Sequence, residues 1–300
     1  MVKKRRLNFL LLAALVALST PGSHAHAQAQ HKPAPPPPAV AAEQRVVAVG
    51  GALTEIVYAL GGEKHLVAVD TTSIYPAAAL ALPKVGYMRA LSSEGVLSMR
   101  PSVVLATSEA GPAQAISQLR SAGVRIELVS ANHSFEELRN KVKVVAYALG
   151  LESEGNKLDE SLRREWTAAL AAAQSASARK PRVLFILSHT PSNTMVSGQG
   201  TAADAVIRYA GGTNAMQGFT GYKPLSAEAV IGAAPDFILI TREGLDAIGG
   251  PDKLWEKPGL ALTPAAKTKR YAAPDALYLL GFGPRLPQAV RELAGKLQAD

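Results

Sequence analysis

Gly86-Tyr87-Met88-Arg89 sets a phenol two residues from a guanidinium, and a related Gly221-Tyr222-Lys223-Pro224 recurs later in the chain. A phenol titrates at about 10, so it serves as an oxygen ligand at neutral pH only with help from a metal's own charge and a nearby cation. Arg89 can supply that cation. Spacing alone leaves two other roles open: Tyr87 as an aromatic cover over a hydrophobic edge, and Arg89 as a solvated loop charge. His189 follows an apolar run in a polar stretch, where it can serve as a nitrogen ligand or as a structural side chain. His65 and His133 read as structural. The pair Glu94 and Glu228 occupies matching positions in the two copies, where an acidic side chain also favours the helix dipole by roughly 0.3 to 1 kcal/mol.

The copies extend well beyond these residues. Aligned from Leu91 to Thr107 and from Leu225 to Thr241, the chain repeats Leu, Ser, Glu, Val, Pro, Leu and Thr at Leu91/Leu225, Ser92/Ser226, Glu94/Glu228, Val96/Val230, Pro101/Pro235, Leu105/Leu239 and Thr107/Thr241. Each copy carries a Gly-containing loop, a Ser cap with Glu in the first helical turn, a short helix, a Pro stop and an apolar strand. Copies half a chain apart are too widely spaced for a solenoid and imply two similar lobes.

Strands at Arg45–Val49, Leu66–Val69, Val103–Ala106 and Val124–Val129 alternate with helices at Thr54–Leu60, near 112–121 and at Phe135–Leu149, the last opened by Ser134 and Glu137 at capping-box spacing. In the second half a strand at Val183–Leu187 leads into a polar loop, 188–200, and a helix Ala202–Tyr209 capped by Thr201. Gly211-Gly212 mirrors Gly61-Gly62. A helix near 251–255, a strand or loop at about 270–280 and an amphipathic helix near 287–297 complete the chain. Between the halves Leu158, Leu162, Trp166 and Leu170 recur every four residues, which predicts one long helix. The expected fold is α/β: two similar lobes, each a mainly parallel sheet covered by helices, joined by a backbone helix whose rigidity limits hinge closure.

Residues 1–27 combine Lys3, Lys4, Arg5 and Arg6 with an apolar run and Ala25-His26-Ala27, the pattern of a secretory signal peptide. A Pro-rich, disordered leader is expected over 28–44, an N-terminal lobe over 45–151, the linking helix over 152–178 and a C-terminal lobe over 179–300. Removing the signal lowers the formal charge from +8 to +4, which withdraws the main support for nucleic-acid binding. Zero Cys means neither a disulfide framework nor a lipid-anchor acceptor, and an exported chain of this kind is expected as a free periplasmic protein and a monomer. His24, His26 and His31 fall in the signal or leader and lack the rigid spacing of a metal site. No nucleophile elbow, His-x-x-x-His pair or carboxylate dyad supports a hydrolase or metalloenzyme.

From Arg45 onward the chain resembles the haem-binding periplasmic proteins of bacterial haem-uptake ABC transporters, within the helical-backbone class that also carries cobalamin and iron-siderophore binders. The motifs are KVGYMRALSSEGVLSMRP (84–101), FILSHTPSNTMVSGQGTAADAVI (185–207) and LLGFGPRLPQAV (279–290). The resemblance implies haem as transported ligand, Tyr87 as its axial ligand with Arg89 beside it, and His189 as an auxiliary ligand from the opposite lobe. Haem carries two propionates, for which Arg242, then Lys223 and Arg285, are the candidate partners. It further implies that Glu94 and Glu228 dock on an inner-membrane ABC permease and ATPase complex, that haem arrives from an outer-membrane receptor, and that the protein is not an enzyme. A cobalamin or iron-siderophore binder of the same fold is the alternative; it calls for a larger or more aromatic cleft, whereas 5% of these residues are aromatic.

Overall fold

The computed structural model describes residues 44–174, 180–190 and 192–299. The expected signal peptide, all of the leader but its last residue, and the last residues of the linking helix (175–178) lie outside them. The first lobe runs β1 (Val46–Val49), α1 (Gly51–Ala59), β2 (Leu66–Val69), β3 (Gly86–Tyr87), β4 (Ala90–Leu91), α2 (Ser93–Ser98), β5 (Val103–Thr107), α3 (Ala113–Ser121), β6 (Arg125–Val129) and α4 (Phe135–Leu149). Its sheet has the order β2-β1-β5-β6, all parallel. The four residues of β1 and five of β5 are buried throughout, as strands covered by helices on both faces must be.

α5 (Glu152–Gln174) follows. The second lobe runs β7 (Arg182–Thr190), β8 (Asn193–Ser197), α6 (Ala202–Tyr209), β9 (Thr213–Asn214), β10 (Tyr222–Pro224), α7 (Ala227–Ala233), β11 (Phe237–Ile240), α8 (Arg242–Ala247), α9 (Pro251–Trp255), α10 (Pro264–Thr268), β12 (Tyr271–Ala272), α11 (Ala276–Leu280) and α12 (Leu286–Gln298). Parallel pairs β9-β7, β7-β11 and β11-β12 repeat the β2-β1, β1-β5 and β5-β6 pairs of the first lobe, so the sequence repeat is a repeat of sheet topology. It holds at single hydrogen bonds as well. Ser92 and Ser226 each accept the amide of the residue three on, at 3.2 Å in both lobes. Gly61 and Gly211 end α1 and α6 at φ 70 and 84, and the next glycine of each pair donates back to Val57 or Ile207 at 2.9 Å.

Two stretches differ from expectation. The polar run 188–200, expected as a loop, holds the last three residues of β7 and all of β8, which pairs antiparallel to β7 and in turn to β10. Its polar residues are exposed next to the turn (His189, Thr190 and Asn193), while the buried Ser188 and Ser197 spend their hydroxyls in hydrogen bonds with Thr190 O and with the Thr201 hydroxyl. The second sheet is therefore mixed, a parallel core with an antiparallel extension. The region 270–280 divides into the short β12 and helix α11.

One hydrophobic core runs through both lobes and α5. Trp166 of α5 stacks on Phe135 of α4 (4.6 Å between centroids, 4° between planes) and meets the edge of Tyr209 of α6 at 4.8 Å. One indole thus joins a helix of each lobe to the linking helix.

Candidate functional site

Parallel strands deliver their carboxyl ends to one edge of each sheet, and loops leaving those ends line the crevice of an open α/β fold. In the first lobe the connections after β2 and β5 carry the candidate residues. β3 and β4 pair as Gly86 with Leu91 and Tyr87 with Ala90, leaving Met88 and Arg89 at the turn of a two-residue hairpin. Gly86 sits at φ 98, a backbone that an L side chain rarely adopts, and so starts the hairpin at the required angle. The hairpin is stitched to the loop after β5: Gly111 donates to the Met88 carbonyl at 2.9 Å and Leu91 to the Gly111 carbonyl at 2.8 Å.

Three side chains meet on this platform. Arg89 Nη1 donates to Tyr87 Oη at 2.9 Å, and Arg89 Nη2 donates to Glu109 Oε1 at 2.7 Å. Tyr87 is 43% exposed, so its ring stands open to a ligand. Partial burial pulls the Arg89 guanidinium down, but the hydrogen bonds to Glu109 and Tyr87 outweigh it and hold the group above its ordinary value. Arg89 is a permanent cation at the phenol oxygen.

Tyr222, the repeat counterpart of Tyr87, lies half-buried on the second lobe. Burial pushes its phenol up, while a hydrogen bond with Thr201 and the charge of Arg89 pull it down and Glu109 pushes it up. The Arg89–Glu109 pair therefore acts electrostatically on Tyr222 of the other lobe.

His189, expected after the first strand of the second lobe, is within β7, one residue from its end, and exposed. Arg242 is the first residue of α8, at the carboxyl end of β11, with an exposed side chain. Lys223 lies exposed in β10 with its ammonium 4.8 Å from the centre of the Phe219 ring. Arg285 is engaged: its Nε and Nη2 donate to the two Glu55 oxygens at 3.0 and 2.9 Å, and its guanidinium stacks 3.7 Å from the centre of the Tyr75 ring. This joins the start of α12 to α1 and the β2–β3 connection. Glu94 and Glu228 are exposed in the first turns of α2 and α7. The platform thus unites Tyr87 and Arg89 with Glu109, while Arg285 belongs to a separate cluster.

The loop Gly198-Gln199-Gly200, which on sequence either cradles an anion or turns the chain, spends its amides on Gly221 O, Phe219 O and the Asp204 carboxylate. It turns the chain. Glu109 was not singled out by sequence reasoning, although its position two residues beyond a central parallel strand is a usable signal.

A model described as periplasmic binding protein matches residues 46–276. The structure of the periplasmic haem-binding protein BhuT, in complex with two haems, is 50% identical and superimposes with a TM-score of 0.82 over 85% of this chain and 98% of that one. The periplasmic haem-binding protein RhuT from Roseiflexus sp. RS-1, in apo form, is 39% identical with a TM-score of 0.83 at the same coverages. The vitamin B12-binding protein of Vibrio vulnificus (strain CMCP6) is 27% identical over 83% of this chain and 88% of its own length. With its paired sheets, its backbone helix and a matched span covering most of the described residues, this chain belongs to the periplasmic binding protein family.

Proposed function

We propose that this protein binds ferric haem in the cleft between its lobes, with Tyr87 as the axial ligand of the iron, and delivers it to an inner-membrane ABC importer. The observation that carries this reading is the Tyr87 oxygen, open to a ligand and held at 2.9 Å by a cation. Among the described residues no group of three or more His, Cys, Asp or Glu is placed to hold a metal ion. A single phenol with a cation suits an iron that brings four macrocycle nitrogens and needs only an axial donor. A hexadentate iron-siderophore complex arrives with its coordination positions filled and leaves Tyr87 without a task. Haem-binding structures at 50% and 39% identity support the same ligand class.

His189, exposed near the end of β7, is the auxiliary ligand from the second lobe in this reading. Arg242 and Lys223, both exposed, are the cations for the propionates. Arg285 is the third candidate, with Nε and Nη2 on Glu55 and Nη1 as the arm left to meet a propionate. Glu94 and Glu228, one on each lobe, face the permease. The protein acts as a monomer in the periplasm after cleavage of its signal peptide and receives haem from an outer-membrane receptor. Cobalamin is the second reading, favoured by the vitamin B12-binding relatives. Titration of the purified protein with haemin and, separately, with cyanocobalamin decides: a saturable ferric spectrum with haemin alone is expected, and binding of cobalamin in place of haemin overturns the proposal.

A further inference from the structure

We propose that Glu109 is a positioning residue that works through Arg89 on the Tyr87 oxygen, setting how strongly that oxygen donates to a bound iron; the iron half of this rests on Tyr87 being the ligand. Glu109 lies in the loop after β5, and the Gly111–Met88 and Leu91–Gly111 backbone bonds fasten that loop to the hairpin of Tyr87 and Arg89. The guanidinium between them is planar and presents its donors in a fixed fork. One arm is on the phenol oxygen at 2.9 Å and the other on the carboxylate at 2.7 Å. The carboxylate therefore fixes the direction of the arm that meets Tyr87, and neutralises part of the charge that arm brings.

Arg89 alone draws electron density from a phenolate and weakens it as a donor. Glu109 opposes this, so the oxygen is held in place without being stripped of its charge. The two groups also act with opposite sign at Tyr222 on the other lobe. Lysine in place of Arg89 keeps a cation but not the fork, so it cannot reproduce the bridge.

The test is a double-variant cycle with two readouts. In the haem-free protein, tyrosines carrying carbon-13 at Cζ are observed by NMR, and the Tyr87 signal is identified by its loss in Tyr87→Phe. Glu109→Gln is expected to move that signal, and to leave it unmoved when Arg89→Ala is already present. In the haem-loaded protein, Glu109→Gln is expected to raise the ferric/ferrous midpoint potential and Arg89→Ala to lower it. The double variant is expected to match Arg89→Ala, and Glu109→Asp to return part of the shift. A Glu109→Gln effect of the same size with and without Arg89 overturns the proposal, as does no effect in the presence of Arg89. If haem-loaded Tyr87→Phe keeps the parent spectrum, the ligand assignment has failed, and with it the iron half of the proposal; the NMR readout then decides whether Glu109 acts through Arg89.

Discussion

At the scale of single residues, Tyr87 and His189 differ in what surrounds them, and the difference sets their expected roles. The Tyr87 oxygen is held by Arg89 on a hairpin fastened at both ends. His189 stands exposed close to the turn between β7 and β8. Tyr87→Phe removes one oxygen and little volume, and is expected to abolish the ferric high-spin spectrum and its charge-transfer band in a haemin titration. His189→Ala is expected to alter spin state or stoichiometry and spare the first haem. The reverse pattern would exchange the two assignments. Tyr87 and Arg89 are legible in sequence because they are two residues apart. Glu109 is not, because its carboxylate reaches Arg89 only after the hairpin folds against the loop beyond β5.

At the scale of elements, α5 is the member on which both lobes lean. Trp166→Ala removes an indole in contact with Phe135 and Tyr209 at once, and is expected to cost roughly 3 to 5 kcal/mol in urea unfolding, the usual range for a large core aromatic. α5 also meets α4 through Arg139, which donates from Nε and Nη2 to the two Asp159 oxygens at 2.7 and 3.0 Å. The hydrogen bond to Arg139 holds the Asp159 carboxyl below its ordinary 3.8, with burial opposing. A depressed carboxyl contributes stability above its unfolded value and loses it as pH falls through the folded one. Asp159→Asn is therefore expected to flatten the stability profile below about pH 4, by less than about 1 kcal/mol because both side chains are about a quarter exposed. Stability measured from pH 5 to 2 checks it.

At the scale of the whole molecule, the lobes are joined by more than α5. Arg285 clamps α12 to Glu55 of α1, and the buried Lys141 of α4 donates to the Phe282 carbonyl of the α11–α12 connection at 3.4 Å. With a core continuous through both lobes, ligand binding is expected to leave the molecule nearly unchanged in size. X-ray scattering of the haem-free and haem-loaded forms checks this, and a clear contraction on loading would count against it. Glu94 and Glu228 belong to this scale too, since each lobe presents one at an equivalent place. Their double alanine variant is expected to bind haem normally and to fail in transport into vesicles carrying the cognate transporter. Each lost contact should weaken docking by roughly 2 to 5 kcal/mol if it is buried and hydrogen-bonded at the interface.

The sequence by itself determined what depends on local order. The repeat, the Ser and Thr caps, the Gly-Gly helix ends and the four-residue rhythm of α5 all act within a turn or two of chain, and each appears where its residues imply. Tyr87 beside Arg89 is of the same kind. Only the tertiary structure decided that 188–200 forms an antiparallel flank, because the run lacks the apolar/polar alternation that marks a half-buried strand and is extended by its pairing with neighbouring strands. It also decided that Arg285 meets Glu55 across 230 positions of sequence and that Glu109 completes the Tyr87–Arg89 pair. A charged side chain advertises its sign in the sequence, but its partner is chosen by whichever opposite charge the folded chain brings within about 3 Å.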